Sequence, residues 1–344
     1  MEFNEVAGTG LKIPAIIFGT SALGNLYTAI SDQTKTDIVK QAFDHCPAPV
    51  VFDSAGKYGA GLALEKLGES LENLDISPEK VIISNKLGWR RTALRTNEPT
   101  FEPGVWKNLQ FDAVQDISYE GIMKCFEEGN RLSGVKFSAQ MASVHDPDEY
   151  LNAAVSSKDR EIRFKNIIEG YRALSDLKKS GKIKAVGIGA KDWKMIEEIA
   201  AAVELDWVMF ANSMTILRHP QELLVFMESL RSKNISIINS AVFHAGFLTG
   251  GDYFDYKMVN SKENKALFSW RESFFAVCQK HNVSPAQACV SFAMSAPGVI
   301  SIALNTSKPA SIKTNVQLVS TKVPAEFWWD MKQKGLISEE YKYI

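Results

Sequence analysis

Eight short apolar runs recur along the chain, and most are followed by a stretch with the 3.6-residue periodicity of a helix. The apolar character of each run is nearly continuous, which is typical of strands covered on both faces of a parallel sheet. The predicted strands are residues 13–19, 50–54, 80–86, 139–146, 183–189, 206–212, 235–241 and 299–305. This alternation over 344 residues predicts an α/β fold, a (β/α)8 TIM barrel, with a doubly wound open sheet as the alternative.

The predicted elements follow one another without a linker, a low-complexity tract or a strong sequence repeat. We therefore predict a single barrel domain over residues 1–344. The longest connection, residues 87–116, follows the third predicted strand, and a barrel places it over the mouth where active sites are built. We predict a structureless substrate loop in which Trp89 and Trp106 line the pocket; tryptophans that only pin the loop to the barrel fit the sequence equally well.

Charge and hydropathy exclude several classes of partner. Lys and Arg number 39 and Asp and Glu number 40, without a long block of one sign that could follow a phosphate backbone or an anionic membrane. No run of about 18 apolar residues can span a bilayer, and the first residues lack the features of a signal peptide. We expect a cytoplasmic protein that acts on a small molecule, with neither nucleic acid nor membrane as a partner.

The cysteines offer no obvious chemistry. They are scattered, without a C-x-x-C pair and without histidines at metal-ligand spacing. We interpret all four as reduced thiols at apolar positions, with a catalytic or redox thiol as the alternative, and we predict no metal site. The four residues are Cys46, Cys125, Cys278 and Cys289.

Polar side chains end three successive predicted strands, namely Asp53, Lys86 and His145, and Tyr58 follows the first of them closely. Each residue alone has an ordinary explanation, as a helix cap, a surface charge, a hydrogen-bonded core histidine or a loop aromatic. Because the C-terminal ends of barrel strands meet at one mouth, their coincidence predicts an active site. Lys57 has no role that we can assign, and we interpret it as a solvated loop charge.

Four stretches of the chain together resemble the aldo-keto reductases, NAD(P)-dependent enzymes built on a (β/α)8 barrel. These stretches are FGTSALG (18–24), FDSAGKYGAG (52–61), SNKLG (84–88) and SVHDPDEY (143–150). The resemblance runs nearly from end to end. It implies that Asp53, Tyr58, Lys86 and His145 are the catalytic residues.

The chemistry of hydride transfer explains why these residue types are needed. A group must exchange a proton with the reacting oxygen, and a tyrosine can do so in both directions if its pKa is lowered. Bringing a phenol from a pKa of about 10 to about 7 requires roughly 4 kcal/mol of preferential stabilisation of the phenolate. We expect Lys86 to supply that stabilisation, Asp53 to hold the ammonium in place, and His145 to orient the reacting oxygen.

No G-x-G-x-x-G opens a βαβ unit, so the sequence does not support a Rossmann-type nucleotide site. The resemblance implies that residues 239–251 wrap the pyrophosphate and that residues 303–315 contact the adenosine. The implied cofactor-binding residues are Gly19, Thr20, Ser240, Gly246, Leu248, Ser307, Lys308 and Asn315. The adenosine segment has lysines, but Ser311 stands where the family's usual arginine aligns, which favours NAD over NADP.

Within the family, the chain looks most like the branch of D-threo-aldose (L-fucose) 1-dehydrogenases and pyridoxal 4-dehydrogenases. The resemblance implies oxidation of a sugar at C1 to a lactone, with a general NADPH-dependent aldehyde reductase, a pyridoxal 4-dehydrogenase and a non-catalytic nicotinamide-binding regulatory subunit as alternatives. Two stretches depart from the family pattern. Ala190 and Lys191 replace the Ser-Asn pair for the nicotinamide carboxamide, and Asn212 and Ser213 stand near the branch's Arg-Tyr pair.

Overall fold

A closed barrel of eight parallel strands forms the centre of the computed structural model, which describes all 344 residues. Each strand pairs with the next along the chain, and the eighth pairs with the first. The predicted (β/α)8 barrel is therefore confirmed, and the open sheet is wrong. The strands are β1 Ile16–Gly19, β2 Val50–Ala55, β3 Val81–Leu87, β4 Met141–His145, β5 Ala185–Ala190, β6 Trp207–Ala211, β7 Ser236–Ser240 and β8 Val299–Leu304.

Eleven α-helices accompany the strands, and several begin at a residue whose side chain caps the helix. Ser284 accepts from the backbone N–H of Gln287, whose side chain caps Ser284 in return. None of the helices combines the length and apolar character that crossing a bilayer requires. The helices are α1 Asp32–His45, α2 Leu62–Asn73, α3 Tyr119–Leu132, α4 Pro147–Asn152, α5 Ser157–Lys179, α6 Trp193–Ala200, α7 Gln221–Ser232, α8 Lys265–Lys280, α9 Pro285–Ser295, α10 Ala310–Leu318 and α11 Ala325–Gln333.

The first predicted strand, residues 13–19, is wrong in its first half. Lys12–Pro14 pairs antiparallel with Phe3–Glu5, and the barrel strand β1 begins only at Ile16. Proline has no N–H to donate, which makes a break in the ladder at this point inexpensive. The resulting N-terminal hairpin turns its apolar side chains into the lower end of the barrel, where they join Trp207 in one buried cluster.

Alternation within each strand decides which side chains enter the barrel. On β2, Val51 belongs to the interior cluster while Phe52 packs outward under the helices, so Asp53 points inward again. The interior is filled below the mouth by the fully buried Trp207. A Cβ on Gly187 would lie 2.1 Å from that ring, so the glycine makes room for the tryptophan. Polar residues at inward positions near the strand ends are thereby brought together above Trp207, at the mouth of the barrel.

The connection over residues 87–116 is not structureless, contrary to the sequence-based expectation. Trp89–Ala93 and Phe111–Gln115 pair as an antiparallel ribbon. We call residues 89–115 the ribbon loop. A small apolar cluster beneath it contains Phe101 and Trp106 and contacts Tyr58. The sequence does not predict this ribbon, because its two strands are short and charged residues interrupt their apolar pattern.

The four cysteines are all buried and unpaired, in agreement with reduced thiols at apolar positions. Burial raises the pKa of Cys46 to about 11 and those of Cys125 and Cys278 to about 12. Because a thiol is reactive only as the thiolate, these residues are chemically quiet at neutral pH.

Candidate active site

Asp53, Lys86 and His145 occupy inward positions at the C-terminal ends of β2, β3 and β4. All three side chains are buried. Lys86 Nζ forms a direct ion pair with Asp53 Oδ2, and the hydroxyl of Ser84 donates to Asp53 Oδ1 at 3.2 Å. Parallel pairing keeps these strand ends side by side, since Ala55 of β2 is in register with Lys86. The barrel thus builds a buried acid–base pair from residues far apart in the sequence.

Tyr58 follows β2 in the turn that leads to α2, and its ring lies over this ion pair. Lys86 Nζ is 4.9 Å from the centre of the ring, and the His145 ring meets it edge-on at 5.5 Å between ring centres. The turn is held closely against the segment after β1, because a Cβ on Gly24 would lie 2.8 Å from the Tyr58 backbone. The structure therefore brings together the four residues that the sequence predicts as catalytic.

The phenol of Tyr58 is not acidified by the protein alone, contrary to the expectation of a lowered pKa. Burial raises the pKa of Tyr58, and the nearby Lys86 ammonium lowers it by less. Burial also lowers the pKa of Lys86, but the Asp53 carboxylate more than compensates, so the ammonium stays charged. At neutral pH the site therefore holds a protonated phenol beside a fixed positive charge.

His145 is neutral in the folded protein. Burial lowers its pKa to about 3, although the Asp146 carboxylate acts in the opposite direction. Its Nε2 lies 3.5 Å from Asp146 Oδ2, and its buried Nδ1 has no hydrogen-bond partner in the protein. A neutral imidazole with a free ring nitrogen can hydrogen-bond a reacting oxygen without adding charge.

The buried neutral state of His145 makes the stability of the protein sensitive to acid. Its pKa is about 6.5 in an unfolded chain, but about 3 in the folded protein. Below about pH 6.5 only the unfolded chain takes up this proton, so the free energy of unfolding decreases as the pH falls towards the folded value. Between about pH 7 and about pH 5 we expect the His145→Gln variant to lose less stability than the parent, by up to about 2 kcal/mol.

Urea unfolding of both proteins at the two pH values measures this difference. Protonation of Asp146 does not contribute to the stability difference between these two pH values. The pKa of its carboxyl is lowered in the folded protein, so its proton uptake changes the free energy of unfolding only at lower pH. An equal loss of stability in the parent and in His145→Gln would contradict a buried neutral histidine.

Lys57 is buried, with 3% of its surface exposed, and the interpretation as a solvated charge is wrong. Its Nζ lies 2.9 Å from Glu102 Oε1, 3.1 Å from Asp146 Oδ2 and 3.0 Å from Glu149 Oε2. Burial lowers the pKa of Lys57, but the three carboxylates outweigh burial and hold it above its ordinary value. Lys57 therefore remains charged next to Tyr58, the predicted catalytic tyrosine.

Several of the residues assigned to the nucleotide already bond within the protein. Thr20 Oγ1 donates to the Asp53 carbonyl at 3.1 Å, and Ser240 Oγ donates to a β6 carbonyl at 2.9 Å. The N–H of Gly246 donates to the carbonyl three residues before it, and the Leu248 side chain is fully buried. These contacts stabilise the backbone at the mouth, and Gly19 ends β1 beside them.

The adenosine-side residues lie at the same end of the barrel. Ser307 and Lys308 are exposed before α10, and Asn315 is half-buried on that helix. Arg271 of α8, which the sequence did not single out, donates to the Gly251 carbonyl at 2.8 Å and so brings a positive charge to the pyrophosphate-side segment. This set of residues fits an anionic nucleotide.

Of the two residues after β5 that depart from the family pattern, one has no polar side chain and the other is paired with a carboxylate of the protein. Ala190 is buried and apolar, and Lys191 binds Glu149 Oε1 through Nζ at 2.5 Å. Just after β6, Asn212 is buried and its Oδ1 has no hydrogen-bond partner in the protein. A buried oxygen without a partner can accept a hydrogen bond from an amide such as a carboxamide, so the residues present are compatible with a nicotinamide nucleotide.

The two tryptophans of the ribbon loop both reach the site. The Trp106 ring lies 5.9 Å from that of Tyr58, and its Nε1 donates to Glu102 Oε2 at 2.7 Å. The Trp89 ring faces Lys57 at 5.3 Å and has a buried Nε1 without a partner. Both rings pack in the cluster beneath the ribbon, so they pin the loop, and Trp106 also contacts the predicted acid.

A second hairpin reaches the mouth from beyond β7, and the sequence did not indicate it. Tyr253–Phe254 pairs with Lys257–Met258, and Tyr256 in the turn lies 5.4 Å from Lys191 Nζ, measured from the ring centre. His244 Nδ1 and Asp255 Oδ1, 2.6 Å apart, anchor the turn. No Asn-Gly or Asp-Gly pair marks this turn, which is why sequence patterns miss it.

Comparison with known proteins agrees with this geometry. The profile of the Aldo/keto reductase family matches residues 15–335. A pyridoxal 4-dehydrogenase from Microbacterium luteolum is 28% identical, and the alignment covers 98% of each chain. A D-threo-aldose 1-dehydrogenase from a Pseudomonas species is 24% identical over 96% of this chain and 97% of its own. The structure of a glycerol dehydrogenase from Gluconobacter oxydans superposes with a TM-score of 0.70 at 16% identity, covering 99% of this chain and 98% of that one.

Proposed function

The chain belongs to the aldo/keto reductase family and is an NAD(P)-dependent oxidoreductase of a small molecule, and on this premise we propose that it oxidises the C1 hydroxyl of an aldose. L-fucose or another D-threo-aldose is the proposed substrate, and the lactone is the product. The observation that carries the proposal is the position of Tyr58 between the Lys86 ammonium and the neutral His145. The names of the two sequence relatives support the choice of substrate.

In the proposed reaction, Tyr58 exchanges the hydroxyl proton while the C1 hydrogen leaves with its electron pair. The nicotinamide, when bound, accepts that hydride in oxidation and supplies it in reduction. Lys86 stabilises the phenolate, Asp53 keeps Lys86 charged and in place, and His145 hydrogen-bonds the reacting oxygen. Asn212 is proposed to contact the carboxamide through its uncommitted Oδ1.

A second candidate is the reduction of an aldehyde by the same site. Burial keeps the phenol of Tyr58 protonated at neutral pH, and a protonated phenol is the form that gives a proton to a carbonyl oxygen. Oxidation instead requires the phenolate, whose formation a cationic nicotinamide beside Lys86 would favour. General aldehyde reduction is the reaction of this second candidate, whereas pyridoxal 4-dehydrogenation, like aldose oxidation, removes a hydride from the substrate.

NAD is the proposed cofactor. The adenosine-side segment presents exposed Lys308 and Lys313, and Ser311 on α10 is only partly exposed. A 2′-phosphate is best recognised by the bidentate fork of an arginine, which this segment lacks. Two flexible lysines support NADP more weakly, so we expect NAD to be preferred.

Formation of reduced nicotinamide tests the proposal. The protein is incubated with NAD or NADP and with L-fucose, D-arabinose, L-galactose or pyridoxal, and the reverse reaction is followed with NADH or NADPH and simple aldehydes. Sugar-dependent reduction of NAD is the expected result. Activity with aldehydes alone would favour the second candidate, and nucleotide binding without any turnover would favour a regulatory subunit.

A further inference from the structure

A network of charged residues centred on the buried Lys57 lies directly beside Tyr58, and no step of the proposed reaction uses it. We call it the Lys57 cluster; it consists of Lys57, Glu102, Asp146 and Glu149. Its members come from the turn after β2, from the ribbon loop and from the segment after β4. The cluster therefore joins three loops that surround the mouth.

The ammonium of Lys57 is fully committed to the protein. It has three N–H donors, and three carboxylates lie within 3.1 Å of Nζ. With 3% of the residue exposed, no donor is left for a substrate. Lys57 therefore acts on the positions of its partners rather than on a bound molecule.

One arm of the cluster reaches the ribbon loop. Glu102 uses Oε1 for Lys57 and Oε2 for the Trp106 Nε1, at 2.9 and 2.7 Å. Trp106 in turn lies against Tyr58. Glu102 has a φ of 45°, a left-handed conformation that residues with a side chain rarely adopt. Such a conformation persists only where contacts hold it, and these two contacts do so.

The other arm reaches His145. Asp146 Oδ2 lies 3.1 Å from Lys57 Nζ and 3.5 Å from His145 Nε2. Asp146 also has a φ of 45°, so both carboxylates that reach towards catalytic residues stand on strained backbone. The Lys57 ammonium is thus paired with Glu102, which bonds the Trp106 ring beside Tyr58, and with Asp146, which lies beside the His145 ring on another side of Tyr58.

We propose that Lys57 is a positioning residue that holds Trp106 against Tyr58 through Glu102 and holds Asp146 beside His145. This inference deepens the proposed function and rests on it, since it concerns the geometry of proton transfer. Lys57 links the Trp106 side and the His145 side of the Tyr58 ring through one buried ammonium. Loss of that charge releases both sides at once, whereas loss of Glu102 releases only the ribbon loop.

Four variants test the proposal by steady-state kinetics. Lys57→Met removes the charge and keeps the length, and we expect kcat to fall about 100-fold. Lys57→Arg keeps the charge and is expected to remain within about tenfold of the parent. Glu102→Gln is expected to raise KM more than it lowers kcat. Lys35→Met is the matched control, because Lys35 is also buried and paired with a carboxylate but lies on α1.

Two kinetic outcomes would overturn the proposal: a kcat of Lys57→Met within about threefold of the parent, or an equal loss in Lys57→Arg and Lys57→Met. The second outcome would show that packing rather than charge matters. If Lys57→Met does not fold, Glu102→Gln decides, because Lys57 then keeps two carboxylate partners. A ratio of kcat to KM unchanged in Glu102→Gln would in that case refute the link to the ribbon loop.

Hydrogen exchange separates this inference from the proposed function. The amides of the ribbon loop are expected to exchange faster in Lys57→Met and Glu102→Gln but not in Lys35→Met. They include the Val105 amide, which donates to the Glu102 carbonyl within the loop, and the Lys107 amide, which donates to the Asn25 carbonyl of another loop. Unchanged exchange in both variants would overturn the positioning role. Absence of turnover in the parent with every substrate would overturn the proposed function alone, and exchange would still decide on the role of Lys57.

Discussion

Replacing Tyr58 with phenylalanine is expected to lower kcat by about 1,000-fold or more, because the variant has no group that can exchange a proton with the reacting oxygen. The phenyl ring keeps its contacts with Trp106 and His145, so the packing around residue 58 is retained. Nucleotide affinity should change little, since the residues assigned to the nucleotide lie on other loops. Steady-state turnover and a fluorescence titration with nucleotide measure the two effects.

A matched control is available on the same scaffold. Tyr256 also stands at the mouth, and Tyr256→Phe removes a hydroxyl without touching the ion pair of Lys86. We expect that variant to retain turnover within about tenfold of the parent. Tyr58→Phe activity within about tenfold of the parent would show that another group exchanges the proton.

Replacing Lys86 with methionine is expected to damage both chemistry and stability. The phenol of Tyr58 loses the Lys86 cation that lowers its pKa, so turnover should fall by about 100- to 10,000-fold. The buried Asp53 carboxylate also loses its partner, and removal of one member of a buried pair costs about 3–5 kcal/mol. Turnover and urea unfolding should both report the change.

A second substitution separates the two effects. In the double variant Lys86→Met with Asp53→Asn, no unpaired charge remains, so we expect the free energy of unfolding to return to within about 2 kcal/mol of the parent. Turnover should stay as low as in Lys86→Met. Recovery of turnover together with stability would show that Lys86 supports the fold and does not assist proton transfer.

The barrel, and the meeting of the four residues proposed as catalytic, could be predicted because their signals are local. Each strand is an apolar run of ordinary length, and Asp53, Lys86 and His145 are each the polar end of such a run. Parallel pairing then brings neighbouring strand ends together without any further information. The first half of strand one was predicted wrongly for an equally local reason, because Ile13 and Pro14 run into the apolar residues of β1 without a polar break.

The role of Lys57 could not be predicted, because its partners are distant in the sequence. Asp146 and Glu149 lie 89 and 92 positions further along the chain, and Glu102 belongs to a loop whose ribbon pairing leaves no clear pattern. The Asp146 position carried one usable signal, since an acid directly after a strand-terminal histidine stands at the barrel mouth. The raised pKa of Tyr58 was not predicted either, because the burial that raises it depends on the tertiary structure.

The lower end of the barrel has a kinetic consequence. The N-terminal hairpin and Trp207 fill that end with buried apolar side chains, so the polar residues of the candidate site lie at the opposite end, the mouth. Where nucleotide and substrate both enter at this mouth, we expect the one that binds deeper to enter first and leave last, and its departure to be a slow step of turnover.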